Sequence, residues 1–215
     1  MCFSAEASFG MSAILCAGGV VSLRKVSLAG QIPFASIPLV FSIQQFFEGF
    51  VWISLTHASW SFLQMPFTIL FLIWAQVIWP AWVPFSFYLL EKDPFRKKVL
   101  ALMLLLGLMV AFFLAYCLYS LHFHSSINNH HIKYDLDFAQ ILGSYNSIFY
   151  FIPTVIPPFI SGNRKMMVIG LFNLGSFMIS KFFFRDHLVS VWCFFAAGIS
   201  IMIVWMMNDY RKRQA

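Results

Sequence analysis

Two side chains able to do chemistry stand inside an apolar run. Gln44 and Glu48 lie in Phe41-Ser42-Ile43-Gln44-Gln45-Phe46-Phe47-Glu48-Gly49. Residues four apart share one face of a helix. A carboxylate within hydrocarbon costs several kcal/mol unless it is paired, protonated or wet, and such groups mark functional sites. Glu48 is therefore either an interhelical hydrogen-bonding group or one wall of a polar pocket. Cys2 and Glu6 repeat the four-residue spacing near the N-terminus. Glu6 is either a surface carboxylate or a further member of that pocket.

Six histidines, His57, His122, His124, His130, His131 and His187, fall between or at the ends of apolar runs. Imidazole binds Zn or Cu and titrates near neutrality. The spacing matches no strict metal motif such as HExxH, and a loop histidine is ordinarily solvated. If a metal binds, His131 and His187 are the ligands expected, with Glu48 acting as base on a bound water. Tyr134 and Trp192 are expected beside them, although an interfacial aromatic anchor is the ordinary role of a tryptophan such as Trp192. Gln76, Tyr145, Asn146, Ser180 and Lys181 add polarity to the same halves of their segments, and Asn173 to the opposite half. Cys2, Cys16, Cys117 and Cys193 lie in or beside apolar segments without CxxC spacing, and read as buried thiols. A Cys2–Cys193 disulfide is the minor alternative.

These groups need positioning elements, and composition says what they are. The chain has 215 residues, 60% hydrophobic and 10% charged, with 27 Phe. A soluble domain carries about a quarter charged residues, so this one cannot cover a water-facing surface. A spanning helix needs about 20 apolar residues. Seven runs qualify: 3–23, 32–55, 66–90, 99–121, 138–160, 166–184 and 187–207, with a polar loop at 122–137. The expected fold is all-α, a polytopic bundle of seven transmembrane helices forming one domain over residues 1–215. Positive charge follows the first apolar run instead of preceding it, unlike a signal peptide. The net charge of +6 comes from short basic clusters between apolar runs. That pattern is a topology signal and not a nucleic-acid footprint.

With the N-terminus outside, eleven basic residues (24, 25, 92, 96, 97, 98, 164, 165, 211, 212 and 213) face the cytoplasm. Three (Lys133, Lys181 and Arg185) lie outside, which completes the fourteen. The positive-inside rule then sets the C-terminus in the cytoplasm and brings all six histidines to the outer side. Glu48 lies about 24 Å along its helix from Ile32, at about 1.5 Å per residue, in the outer third of the bilayer core. Pro80 and Pro84, and Pro153, Pro157 and Pro158, interrupt two spans. Each removes a backbone donor, and the freed carbonyls need partners in the membrane. These prolines either shape the bundle, or form a hinge or widen an internal cavity.

The chain resembles an uncharacterised family of small bacterial membrane proteins whose members begin Met-Cys-Phe-Ser-Ala, here Met1–Ala5. The resemblance continues through Gln44–Trp52, Trp79–Pro84, His131–Tyr134 and Ser190–Ala197. It implies a multi-pass protein of the bacterial cytoplasmic (inner) membrane and supplies no activity. It adds weight to Cys2, Gln44, Glu48, His131, Tyr134, Trp192 and Cys193.

The leading functional expectation is an outward-facing polar pocket of Glu6, Gln44, Glu48, His131, Tyr134, His187 and Trp192. It would bind or transport a small polar or cationic ligand arriving from the outer side, with the lipid bilayer as the other partner. The alternatives are a metal-dependent intramembrane hydrolase, using Zn or Cu, and a non-catalytic sensor or assembly subunit. No motif decides whether the chain is an enzyme. There is no internal repeat of the transporter kind, and helix seven has no Lys for a retinal Schiff base.

Overall fold

The computed structural model describes residues 4–128, 131–137, 144–183, 191–192 and 195–212. Among the described residues, five helical stretches are long and apolar enough to cross a membrane: Ala5–Leu23, Ala29–Thr56, Ala58–Leu90, Pro94–Ser120 and Arg164–Phe183. The chain is a mostly helical, multi-pass membrane protein. Two further helical regions, within 144–160 and 196–212, pack into the same bundle.

The first stretch is α1 (Ala5–Leu23), opened by Ser4, whose hydroxyl accepts the Ala7 N–H at 3.2 Å as an N-cap does. The second divides into α2 (Ile32–Ala35) and α3 (Ile37–Thr56), offset at Ser36. Pro38 cannot donate to Phe34 O, four residues back, and the Ser36 hydroxyl donates to the neighbouring Pro33 O at 2.8 Å. The third comprises α4 (Gln64–Leu72), a π-helical turn (Ile73–Ile78) and α5 (Trp79–Leu90). α6 runs Pro94–Ser120 and begins five residues before the expected start at 99. Asp93 caps it by accepting the Arg96 N–H at 2.8 Å, and proline is at home in a first turn. The charged run thus forms its opening.

The expected polar loop at 122–137 is instead an antiparallel hairpin, β1 (Phe123–Asn128) and β2 (His131–Leu136), with Ser125 opposite Tyr134 and Ile127 opposite Ile132. The cause is period-two patterning. Phe123, Ser125 and Ile127 align with Ile132, Tyr134 and Leu136 on one face, because strand side chains alternate. Beyond it come α7 (Ser144–Val155), α8 (Pro157–Ile160), α9 (Arg164–Phe183) and α10 (Ala196–Lys212). α10 extends past the expected end at 207.

α3 sits centrally, against α1, α4, α10 and β1. Small residues bring α1 and α3 close. A Cβ on Gly49 would lie 2.7 Å from the Phe9 ring. Ser12 and Ser42 exchange hydrogen bonds, each hydroxyl donating to the other's carbonyl at 2.8 Å. Close packing of small residues and hydroxyl bonds between helices are how membrane helices associate without a hydrophobic drive.

Two of the carbonyls freed by prolines find side-chain donors. In the π register the partner of Ala75 O would be residue 80, a proline, and the Tyr150 hydroxyl donates to it at 2.6 Å. Pro158 cannot serve Thr154 O, and Asn173 Nδ2 of α9 does so at 3.0 Å. Pro84 leaves Pro80 O bare, and Gly107 of α6 packs directly against it, with no room for a side chain. Asn173 thus serves the carbonyl that Pro158 leaves free. Of the cysteines expected buried, Cys117 is buried but Cys16 is exposed, on a face of α1 turned away from the bundle. Cys2 and Cys193, and any disulfide between them, lie outside the described residues.

Candidate functional site

The polar layer is built on α3. Gln44 and Glu48 are fully buried and Gln45 is 2% exposed. Their burial on one helix follows from its central place among α1, α4 and α10. Gln45 Nε2 donates to Glu48 Oε2 at 3.0 Å. Trp79 Nε1, at the start of α5 just beyond the π turn, donates to Gln44 Oε1 at 2.7 Å. The Trp79 ring also lies against Phe41, centroids 4.0 Å apart. π turns recur at functional sites because they re-aim side chains, and this one precedes the tryptophan that reaches α3.

Two buried donors flank the layer without a hydrogen-bond partner among the described residues. They are Ser8 Oγ, on the face of α1 that carries Ser12, and Trp52 Nε1, one turn beyond Glu48. A buried unsatisfied polar atom calls for an explanation such as water or an ion.

The hairpin closes over this end. Ile132 and Leu136 are buried in the cluster that holds Val51, Trp52 and Phe71, and the Tyr134 ring stacks on Phe71 at 4.8 Å. Ser125 pins β1 to α4: its hydroxyl pairs with Thr68 Oγ1 at 3.0 Å, and Gln64 Nε2 donates to its carbonyl at 2.9 Å. His131 is half-buried with its Nδ1 enclosed, on the strand face opposite Tyr134.

The remaining expected members are placed as follows. Glu6 is exposed at the start of α1, in the company of Ser4 and His57, an environment unlike the buried layer around Glu48. Trp192 is half-buried, donates to Ser176 Oγ at 3.1 Å and meets Tyr150 and Phe177 edge-on. That gives it a packing role between α7 and α9. Ser180 bonds its own helix, and Lys181 lies over the Phe177 ring. Gln76 is half-buried in the π turn. His57, His122 and His124 are exposed, as solvated loop histidines are. His187 and His130 lie outside the described residues, as do the side chains of Tyr145 and Asn146. No group of three His, Cys, Asp or Glu able to hold a metal occurs among the described residues.

Gln45, Trp79, Trp52 and the Ser125–Thr68–Gln64 pin were not among the expected site residues. Gln45 had a signal, its three-residue spacing to Glu48. Trp79 stood in a motif of the resembled family, but nothing in the sequence tied it to Gln44, because that reach depends on the π turn.

A buried amide–carboxylate cluster inside a multi-pass helical bundle defines a class, a membrane protein with an internal polar layer. The family follows from comparison: the chain belongs to the Family of unknown function (DUF6629), whose model matches residues 1–215. No curated protein matches the chain. No solved structure matches it.

Proposed function

We propose that this protein binds a small polar or cationic ligand at Glu48, from the outer side of a bacterial cytoplasmic membrane that it crosses seven times. The observation that carries the reading is the complete burial of Glu48 beside two buried glutamines on one helix. Burying a carboxylate is expensive, and well-packed apolar residues of similar size are often as stable or more so. A bundle needing only helix association already has it through Ser12–Ser42, Gly19 and Gly49.

Seven crossings follow if the helices within 144–160 and 196–212 also span. α10 at 17 residues is about 25 Å long, enough with flanking residues for a core of about 30 Å. The positive-inside count puts the N-terminus out and the C-terminus in. Glu48, Gln44 and Gln45 supply acceptors and donors, and Tyr134, on the face of β2 that stacks on Phe71, and His187 would complete the outer wall.

The test is ligand-induced stabilisation. Purified protein is heated with primary amines and quaternary ammonium ions. A ligand at about 100 times its Kd adds about 2.7 kcal/mol, which shifts the melting temperature measurably. Glu48→Gln is expected to abolish the shift. A shift that persists in Glu48→Gln would remove Glu48 from the site, and a wild-type protein that no amine stabilises contradicts the cationic reading.

A further inference from the structure

We propose that Ser8 and Trp52 are ligand-binding residues, and that the ligand of the Glu48 layer is an amine that also carries a neutral hydrogen-bond acceptor, as an amino alcohol does. This inference rests on the reading of Glu48 as a ligand site. Ser8 is fully buried and Trp52 is 4% exposed. Ser8 Oγ and Trp52 Nε1 have no hydrogen-bond partner among the described residues. A buried donor left unused is costly, most of all within a membrane, so two of them beside a buried carboxylate call for a common partner.

Helix geometry brings both donors to Glu48. Ser12 meets Ser42, and Phe9 meets Phe46, Gly49 and Phe50, so α1 and α3 run antiparallel. Ser8 stands about 6 Å along α1 from Ser12, while Gln45 and Glu48 stand about 4.5 and about 9 Å along α3 from Ser42, at about 1.5 Å per residue. Ser8 is therefore level with the space between them. Phe9 turns toward the exposed Phe46. Ser8 lies about 100° round the helix from Phe9, and its burial puts it on the inward side. On α3, at about 100° per residue, Trp52 lies about 40° and Gln45 about 60° round from Glu48, both toward Gly49, which packs against α1. Ala5, three residues before Ser8, packs against the cluster that holds Trp52. One interior edge of the α1–α3 pair thus carries a hydroxyl, an indole N–H and the Gln45–Glu48 pair. Glu48 suits the cationic end of a ligand. The two donors are neutral and suit an acceptor, and a second carboxylate there would be repelled by Glu48. The acceptor is therefore a hydroxyl, ether or carbonyl a few bonds from the nitrogen, since residues one turn apart have Cβ atoms about 5–6 Å apart.

The experiment uses two pairs of amines that differ only in a hydroxyl against a methyl group: ethanolamine with propylamine, and choline with propyltrimethylammonium. Each is titrated calorimetrically into the purified full chain. The hydroxylated member of a pair that binds is expected to bind about tenfold more tightly, the size of one or two net hydrogen bonds. In Ser8→Ala with Trp52→Phe, which keeps an aromatic ring and removes both donors, the ratio is expected to fall to about one. A second measurement needs no doubly substituted protein. In wild type with 15N-labelled indoles, the Trp52 Nε1–H resonance, assigned by its loss in Trp52→Phe, is expected to move with ethanolamine well beyond its movement with propylamine. Equal affinities within each pair, a preference that survives the double substitution, or a Trp52 resonance that ethanolamine leaves in place overturns the assignment, leaves the two donors to buried water and lets the amine site at Glu48 stand. Absence of binding by all four amines overturns the Glu48 reading and this inference with it.

Discussion

Replacing Gly107 with alanine pits two effects of known size against each other. Gly107 faces Pro80 O, the carbonyl that Pro84 cannot serve, and an added Cβ would overlap that oxygen and lie 3.3 Å from Pro84 Cγ. Alanine gains up to about 1 kcal/mol over glycine in helix propensity. Overpacking costs about 1–3 kcal/mol. The obstructing atom is backbone, in a segment braced by two prolines, so it cannot swing aside as a flexible side chain could. With the obstruction fixed in place the overpacking cost falls at the upper end of its range, so overpacking should win, for a net loss approaching about 2 kcal/mol in Gly107→Ala. Gly10 and Gly175 are the controls, since a Cβ there meets nothing within 4 Å. Alanine at either should leave stability unchanged or raise it by up to about 1 kcal/mol. Unfolding in mixed micelles with increasing dodecyl sulfate, followed by far-UV circular dichroism, reads all three. A Gly107→Ala protein as stable as wild type, or a Gly175→Ala protein that loses as much, refutes the reasoning about the bare carbonyl.

Asn173→Leu should cost about 1 kcal/mol in the same assay, the range for a hydrogen bond lost to a buried carbonyl in a membrane bundle, and an unchanged midpoint would show that Thr154 O finds another donor. Tyr150→Phe should cost a similar amount by stripping Ala75 O of its hydroxyl, with helicity unchanged. Alkaline phosphatase fused within 122–137 should be active and the same enzyme fused after Ala215 inactive; the reverse pattern overturns the proposed orientation. If His131 and His187 hold a metal, purified protein should carry near-stoichiometric Zn or Cu by plasma mass spectrometry, and His131→Ala with His187→Ala should lose it. Metal-free protein that still responds to amines removes the hydrolase alternative.

The spans were legible because hydrocarbon imposes a length and a composition, and α1 and α9 fall within a few residues of their expected bounds. The breaks were half legible. Prolines announced that carbonyls would be freed, but the partners, Tyr150 for Ala75 and Asn173 for Thr154, are set by helix packing that no local pattern encodes. The hairpin was missed because polar residues and histidines dominate 122–137, while the apolar half of its alternation is only five residues and a serine. In the candidate site Gln44 and Glu48 were visible as polar residues in an apolar run. Glu6 read either as a surface carboxylate or as a pocket member, and its place in the first turn of α1 leaves it exposed. The donor to Gln44 comes from a tryptophan whose direction follows from a π turn, and the roof comes from the hairpin. Both are tertiary facts.

Central to this account is the claim that Glu48 is kept for what it binds and not for the fold. The most direct measurement is the unfolding free energy of Glu48→Gln set beside its amine response. Glutamine keeps an acceptor for Gln45 Nε2, now at 3.0 Å from Glu48 Oε2, and removes the charge. The account predicts a stability within about 0.5 kcal/mol of wild type, with the amine-induced shift gone. A loss of about 3–5 kcal/mol, the cost of breaking a buried ion pair, with the amine response intact in the folded fraction, would contradict it and make Glu48 a structural group.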